Sequence, residues 1–278
     1  MLGKMAAFSW LLFNSSNKII PILYPQVPPL PCIMEPPLIS IIIPVFNEAR
    51  ALPLTLAGLP AAPDLEVILV DGGSTDDTWE AAGAYPHVSR VQSPRGRGIQ
   101  MNTGALAARG ELLVFLHADT LIGPVHVAAL RQAAADPEFQ AGAFELGLSP
   151  PLPALKLIAW GANLRSRLFG LPYGDQVLIL RRDLFFALGG YCHRRPEDLD
   201  LVIRLRRFAR LRLLTPPVAS SGRKWLTQGY LRTTARNWLY ALRHLAERAF
   251  THRWPEKGDL ESVRGRGQRA PTLSPSPA

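Results

Sequence analysis

The chain has 278 residues, 47% hydrophobic and 19% charged, enough for one large α/β domain with tails or for two small domains. Its formal net charge of +9 points to anionic partners, and two cysteines, Cys32 and Cys192, exclude a disulfide framework or a cysteine-held metal cluster. That cysteine usage suits a reducing, cytoplasmic setting.

In chain order, residues 1–38 hold an apolar run, Met5 to Phe13, and then a proline-rich stretch, Pro21 to Pro37. The run is shorter than the roughly 20 residues a membrane span needs, and Asn14-Ser15-Ser16 is a poor small-residue cleavage site for a secretory signal. The segment reads as a disordered extension, or as residues upstream of a natural start at Met34. A folded, active protein is therefore expected without residues 1–33.

From Ile39 the pattern becomes strand then helix, repeated. Ile39–Pro44 is a continuous β-branched run suited to a buried parallel strand, followed by a helix over Ala51–Leu59. Leu65–Asp71 is the second strand, with a helix through Trp79–Ala82 after the GGSTDD turn. Val88–Gln92 is the third, Gly98–Ala108 a helix, and Glu111–Leu116 the fourth strand, ending in His117-Ala118-Asp119-Thr120. The fold class is α/β, with a mostly parallel central sheet and helices on both faces. Ligands of such sheets bind outside the carboxyl ends of the strands, so Asn47, Glu48, Asp71, Ser74, Asp76 and Asp119 are expected to face one crevice. Residues 39–250 form this domain, and residues 251–278, basic and then rich in Pro and Ser, read as a disordered tail.

No G-x-G-x-x-G follows the first strand and no G-x-x-x-x-G-K-S/T occurs, so the usual dinucleotide and P-loop signals are missing. Acidic residues at strand ends repel phosphate unless a cation intervenes. Asp119 reads either as a ligand for Mn²⁺ or Mg²⁺ bridging to a diphosphate, or as a cap for the helix near Pro124; Asp71 has the same two readings toward its turn.

Four segments, PVFNEA (Pro44–Ala49), VDGGSTDDT (Val70–Thr78), FLHADT (Phe115–Thr120) and PEDLDL (Pro196–Leu201), resemble the ordered motif set of family 2 glycosyltransferases. The likeness runs from Ile39 to near Trp238. It is closer still to a bacterial subgroup carrying QMN (Gln100-Met101-Asn102), FLHADT, RSR (Arg165-Ser166-Arg167) and PYGDQ (Pro172–Gln176), some of whose members are described as acting on carotenoid or other lipid-like acceptors.

The resemblance implies a GT-A type nucleotide-diphospho-sugar transferase fold and an inverting transfer from a nucleotide-sugar donor to a hydroxyl or carboxyl acceptor. It implies that Pro44, Asn47, Glu48 and Asp71 hold the nucleotide, with Gln100 and Asn102 beside them. The family's D-x-D metal motif is here His117-Ala118-Asp119, leaving Asp119 as the carboxylate and His117 as a second ligand or a packed imidazole. The family's E-D motif makes Asp198 the catalytic base, with Glu197 adjacent.

Such a displacement needs a carboxylate near the acceptor hydroxyl and positive charge on the leaving diphosphate. Asp198 opens a helix over Asp198–Phe208, whose dipole is expected to favour the charged carboxylate. Arg97, before a helix start, reads as a phosphate contact or a solvated loop arginine. Gly174, Asp175 and Gln176 form a loop that either binds acceptor or donor sugar or is a plain turn. Arg223 and Lys224, in Ser221-Gly222-Arg223-Lys224-Trp225, resemble part of the family's Q-x-x-R-W element and are candidates for the diphosphate.

Farther on, Leu231, Ala235, Trp238, Leu242 and Leu245 recur at helical spacing, with Arg232, Arg236, Arg243 and Arg248 off that stripe. This helix either lies peripherally on an anionic membrane, at the inner face of the plasma membrane, or packs its apolar face on the domain. Two rival functions remain. A nucleotidyltransferase lacks its lysine-containing glycine loop here, and a non-catalytic nucleotide-sugar-binding protein would not need Asp198. No nucleic-acid module is present.

Overall fold

The computed structural model describes residues 38–192 and 196–250, apart from the side chains of Trp238, Ala241, Leu242 and residues 244–250. The expected extension and tail lie outside the described residues, as do the side chains of Trp238, Leu242 and Leu245.

Eight strands form one sheet: β1 (Ile39–Val45), β2 (Leu65–Asp71), β3 (Val88–Gln92), β4 (Leu112–Phe115), β5 (Thr120–Leu121), β6 (Ala141–Ser149), β7 (Leu178–Arg181) and β8 (Leu211–Ser221). Their spatial order is β3-β2-β1-β4-β7-β6-β8-β5. The first half is wholly parallel, with β1 between β2 and β4, and β3 outside β2. The second half is mixed. β7 runs antiparallel to both β4 and β6, β8 is parallel to β6, and β5 is antiparallel to β8.

Among the described residues the helices are α1 (Leu52–Ala57), α2 (Thr78–Gly83), α3 (Arg97–Ala107), α4 (Pro124–Ala135), α5 (Pro153–Phe169), α6 (Arg182–Ala187), α7 (Glu197–Leu205), α8 (Arg223–Gln228) and α9 (Tyr230–Phe250). Alternation along β1 explains why the sheet needs helices on both faces. Ile39, Ile41, Ile43 and Val45 join one core with Leu52, Leu56 and Leu130, from α1 and α4, whereas Ile42 joins another with Met101, Phe185 and Leu201, from α3, α6 and α7. A strand apolar on both sides must be covered twice. A third, smaller cluster joins Leu146 and Leu148 of β6, Leu155 and Ala159 of α5, and Trp225 of α8.

The expected strands and helices of the first half stand within two residues of their predicted ends, α1 beginning one residue later and ending two earlier; in the second half, α7 starts at Glu197 and ends at Leu205 rather than Phe208. The strands β6 and β8 and the helix α5 were not anticipated. α3 sits close on the sheet because Gly104 has no side chain: a Cβ there would collide with Ile42 and stand 3.0 Å from Val70 Cγ2. Gly104→Val is expected to destabilise the protein by about 2 kcal/mol through overpacking. Thermal unfolding, several degrees lower than in the parent, would show it.

Candidate active site

The parallel strands end on one side of the sheet, and there a cavity of about 880 Å³ opens. Its floor carries Arg97, His117, Asp119, Gly174, Asp175, Glu197 and Asp198; one wall is formed by Ser221, Arg223, Lys224 and Trp225, and by Arg236, Asn237 and Tyr240 of α9. Three chain segments remote in sequence meet at its base. A Cβ on Gly174 would collide with Asp198 Oδ2 and stand 2.8 Å from His117 Nε2, so the end of β4, the 3-10 turn Gly174–Gln176 and the start of α7 touch only because that residue is glycine.

Asp198 accepts a hydrogen bond from the Gly174 backbone N–H, and its Oδ2 lies 3.7 Å from Arg97 Nη1. Arg97 Nη1 is also 3.6 Å from Glu197 Oε1. The Asp198 side chain is 14% exposed and its Oδ1 has no hydrogen-bond partner. Burial pushes its carboxyl up to about 7. Arg97 opposes the rise, Glu197 and Asp175 add to it, and the Gly174 N–H opposes it. The helix dipole was expected to hold this group charged; desolvation outweighs it, because the dipole contributes under about 1 kcal/mol at an exposed terminus and burial penalises the whole charge. Desolvation, then Arg97, holds the His117 imidazole down to about 3, so it is neutral.

Asp175 is pushed up by burial and by Asp119, with Arg165 pulling it down, and its Oδ1 is buried without a partner. Glu48 is likewise raised, first by burial and then by Asp119, while Arg223, 3.8 Å away, lowers it. Carboxylates that destabilise one another in this way form a negative locus at the mouth of the sheet. Among the described residues no three His, Cys, Asp or Glu side chains are drawn together as a ready-made metal cluster. A Mg²⁺- or Mn²⁺-type ion held through one or two carboxylates and the substrate's phosphates needs no such cluster, and the unpartnered Asp175 oxygen beside Asp119 fits that mode.

Several predicted residues serve elsewhere. Gln100 is buried, and its Nε2 donates to the Val45 carbonyl at 2.6 Å and the Val70 carbonyl at 2.9 Å, clamping β1 to β2. Asn102 donates to the Tyr191 carbonyl and accepts from its N–H, both at 2.9 Å. Gln176 is fully buried; its Nε2 donates to the Phe144 carbonyl at 3.1 Å and its Oε1 accepts from Ser166 Oγ at 2.8 Å. These three amides are used up inside the protein, so they position the site rather than face it.

Pro44, Asn47, Glu48 and Asp71 sit at the ends of β1 and β2, outside the cavity lining. Asp71 accepts from the N–H groups of Gly73 and Ser74 and so closes its own turn, the capping alternative. Asn47, at φ 55°, accepts from the Thr75 N–H at 2.8 Å and knits the two loops together. Only Glu48, through Arg223, reaches across to the cavity wall. Arg204 is buried and structural: it pairs with Asp200 at 2.8 Å and donates to the Gly190 carbonyl at 2.7 Å, fixing α7. Sequence reasoning missed Tyr173, Asn237 and Tyr240. Asn237 and Tyr240 share a face of α9 with buried Thr233, a spacing of four and three residues that a helical projection could have exposed.

The sheet and its strand-end cleft define a nucleotide-diphospho-sugar transferase fold of GT-A type. The fold is similar to that of the mannosyltransferase PcManGT from Pyrobaculum calidifontis, solved with GDP-Man and Mn²⁺ (TM-score 0.59, 23% identity, 84% of this chain and 70% of that one). It is also similar to glucosyl-3-phosphoglycerate synthase from Mycobacterium tuberculosis, solved with Mn²⁺, UDP and glucosyl-3-phosphoglycerate (TM-score 0.51, 19% identity, 66% and 70%). In sequence, the Glycosyl transferase family 2 profile matches residues 40–144. A PGL/p-HBAD biosynthesis glycosyltransferase of Mycobacterium bovis is 31% identical over 192 residues, covering 66% of this chain and 74% of that protein. The chain belongs to glycosyltransferase family 2, and it is a glycosyltransferase.

Gly174→Ala is expected to leave the fold intact and reduce donor turnover at least about a hundredfold, since it displaces the Asp198 carboxyl and the His117 ring at the cavity base. A donor-hydrolysis assay beside circular dichroism would read both; full activity would show that the three-segment contact is dispensable.

Proposed function

We propose that the protein is an inverting glycosyltransferase that uses Asp198 as general base to move a sugar from a nucleoside-diphosphate donor to the hydroxyl of a lipid-like acceptor. The observation that carries this reading is the Asp198 carboxyl: buried at the cavity base, held by Gly174 and Arg97, with one oxygen unpartnered and a pKa near its working range.

The acceptor oxygen forms its bond to the anomeric carbon while the bond to the diphosphate breaks, and that electron pair leaves on the phosphate oxygen. The acceptor's proton goes to Asp198 Oδ1. Attack from the face opposite the leaving group inverts the anomeric centre. Arg223 and Lys224 on the wall offset the charge that develops on the diphosphate, and Arg97, already facing Asp198, keeps the base ionisable. Asp119, with Asp175 and the neutral His117 nearby, would hold a divalent cation, which would neutralise the leaving group. Trp225 and Tyr240 add aromatic surface to the cavity that suits an amphiphile, in keeping with the subgroup resemblance carried by QMN, RSR and PYGDQ. Such an acceptor is met at the cytoplasmic face of a membrane, and none of the described helices is long and apolar enough to cross one.

Asp198→Asn should lower kcat by at least about 10² while nucleotide binding by calorimetry persists. In the parent, activity should rise with pH through about 7, because the base must be deprotonated and its carboxyl is held up there; a flat profile from pH about 5 to 9 would remove Asp198 from the role. Asp119→Ala should abolish the gain in nucleoside-diphosphate affinity on adding Mn²⁺, and an undiminished Mn²⁺ effect would move the cation elsewhere.

A further inference from the structure

The net charge of the chain is not spread over it. Helices α5, α8 and α9 hold nine of the 31 Lys and Arg and one of the 22 Asp and Glu; of the nine, Arg223, Lys224 and Arg236 line the cavity, and Lys156, Arg167, Arg232 and Arg243 are exposed on α5 and α9. These three helices meet around one small core, where Trp225 of α8 and Leu155 and Ala159 of α5 pack with Tyr230 of α9 alongside.

Their outer faces are apolar as well. On α5, Leu155, Ala159, Ala162 and Ser166 face inward at helical spacing. Leu157, Trp160, Leu164 and Leu168 form the opposite stripe, with Leu157 66%, Trp160 61% and Leu168 66% exposed. α9 repeats the pattern. Thr233 is buried and Asn237 lines the cavity, while Leu231 at 87% and Leu239 at 68% exposure point to solvent. Of the apolar stripe that the sequence shows on this helix, Leu231 and Ala235 are exposed.

We propose that the exposed faces of α5 and α9 form a docking surface for an anionic lipid bilayer. The inference rests on the lipid-acceptor reading only for its purpose; the surface itself stands on exposure and charge. Cationic helices with an exposed Trp and Leu stripe match a bilayer interface, where the apolar stripe enters the headgroup boundary and the cations meet anionic lipid. A second copy of the chain is disfavoured, because a self-interface of α5 and α9 would set the exposed Lys156, Arg232 and Arg243 against their own copies. The apolar run Met5–Phe13 carries no acid to complement these cations. A nucleic acid would meet the charge but not the stripe. Since α8 and α9 also line the cavity, docking would bring its wall to the lipid boundary.

The full chain would be floated with vesicles of phosphatidylcholine, alone or with about one third phosphatidylglycerol. It should float with the anionic vesicles about tenfold more than with the neutral ones. Leu157→Ser with Trp160→Ser, and separately Leu231→Ser with Leu239→Ser, should each cut that binding about tenfold while thermal unfolding and donor hydrolysis stay unchanged. Asp198→Asn should float like the parent, so docking and transfer fail separately. No flotation, flotation indifferent to the serine pairs, capture of duplex DNA without vesicles, or a dimer by light scattering that the serine pairs dissociate would each overturn the proposal.

Discussion

The site depends on one contact that no side chain larger than hydrogen permits. At Gly174 the end of β4, the turn before β7 and the first turn of α7 touch, and there the Asp198 carboxylate loses water without full compensation. A single backbone N–H and an arginine 3.7 Å away do not repay the desolvation of a carboxylate. The rest of the structure around the cavity works against that cost. Gln176 ties the turn to β6 and α5, Arg204 and Asp200 tie α7 to the Leu188–Gly190 turn, and Asn102 ties α3 to Tyr191. Val177, a β-branched residue at φ 56°, shows strain just beyond the turn, the sort that persists only where surrounding contacts over-determine it.

That arrangement separates two tasks which the motifs alone merge. QMN and the Q of PYGDQ carry polar side chains whose hydrogen-bonding capacity is met by backbone and neighbouring side chains, so they build the site without entering it. GD and ED each carry one carboxyl oxygen with unmet capacity, on Asp175 and Asp198, and those residues line the cavity. At the cavity base, burial without a partner sets these two carboxyls apart from the amides that support them.

The first half of the fold was legible because its strands are continuous apolar runs of β-branched residues and leucine closed by polar turns. The structure places β2 and β3 within the same residues as the sequence pattern. The second half obscured itself for physical reasons. β6 reads AGAFELGLS, where alanine and glycine blur the alternation. β8 holds Pro216 and Pro217, which argue against a central strand, and β6 accommodates them with a shift of register between Phe144 and Leu146. α5 is apolar on both faces, so it offers no periodic contrast. The strand-end acids were legible, but which of them reach the cavity was not: Asp71 is the last residue of β2 and turns back on its own loop, whereas Asp119, four residues past β4, lines the cavity.

Charge within the cavity sharpens the case for a cation. Asp119, Asp175, Glu197 and Asp198 are matched by Arg97, Arg223, Lys224 and Arg236, so the lining is formally neutral. A diphosphate entering a neutral cavity gains nothing from its average field and must rely on the segregation of charge, with arginine and lysine on the α8–α9 wall and carboxylates at the strand ends. On the carboxylate side it would be repelled. Relief comes from protonating those acids, which would disable Asp198, or from a divalent ion between them and the phosphates, which leaves Asp198 free to ionise. Burial first, and neighbouring acids after it, raise the carboxyls of Asp175, Glu48 and Asp198, so charge at the strand ends is costly.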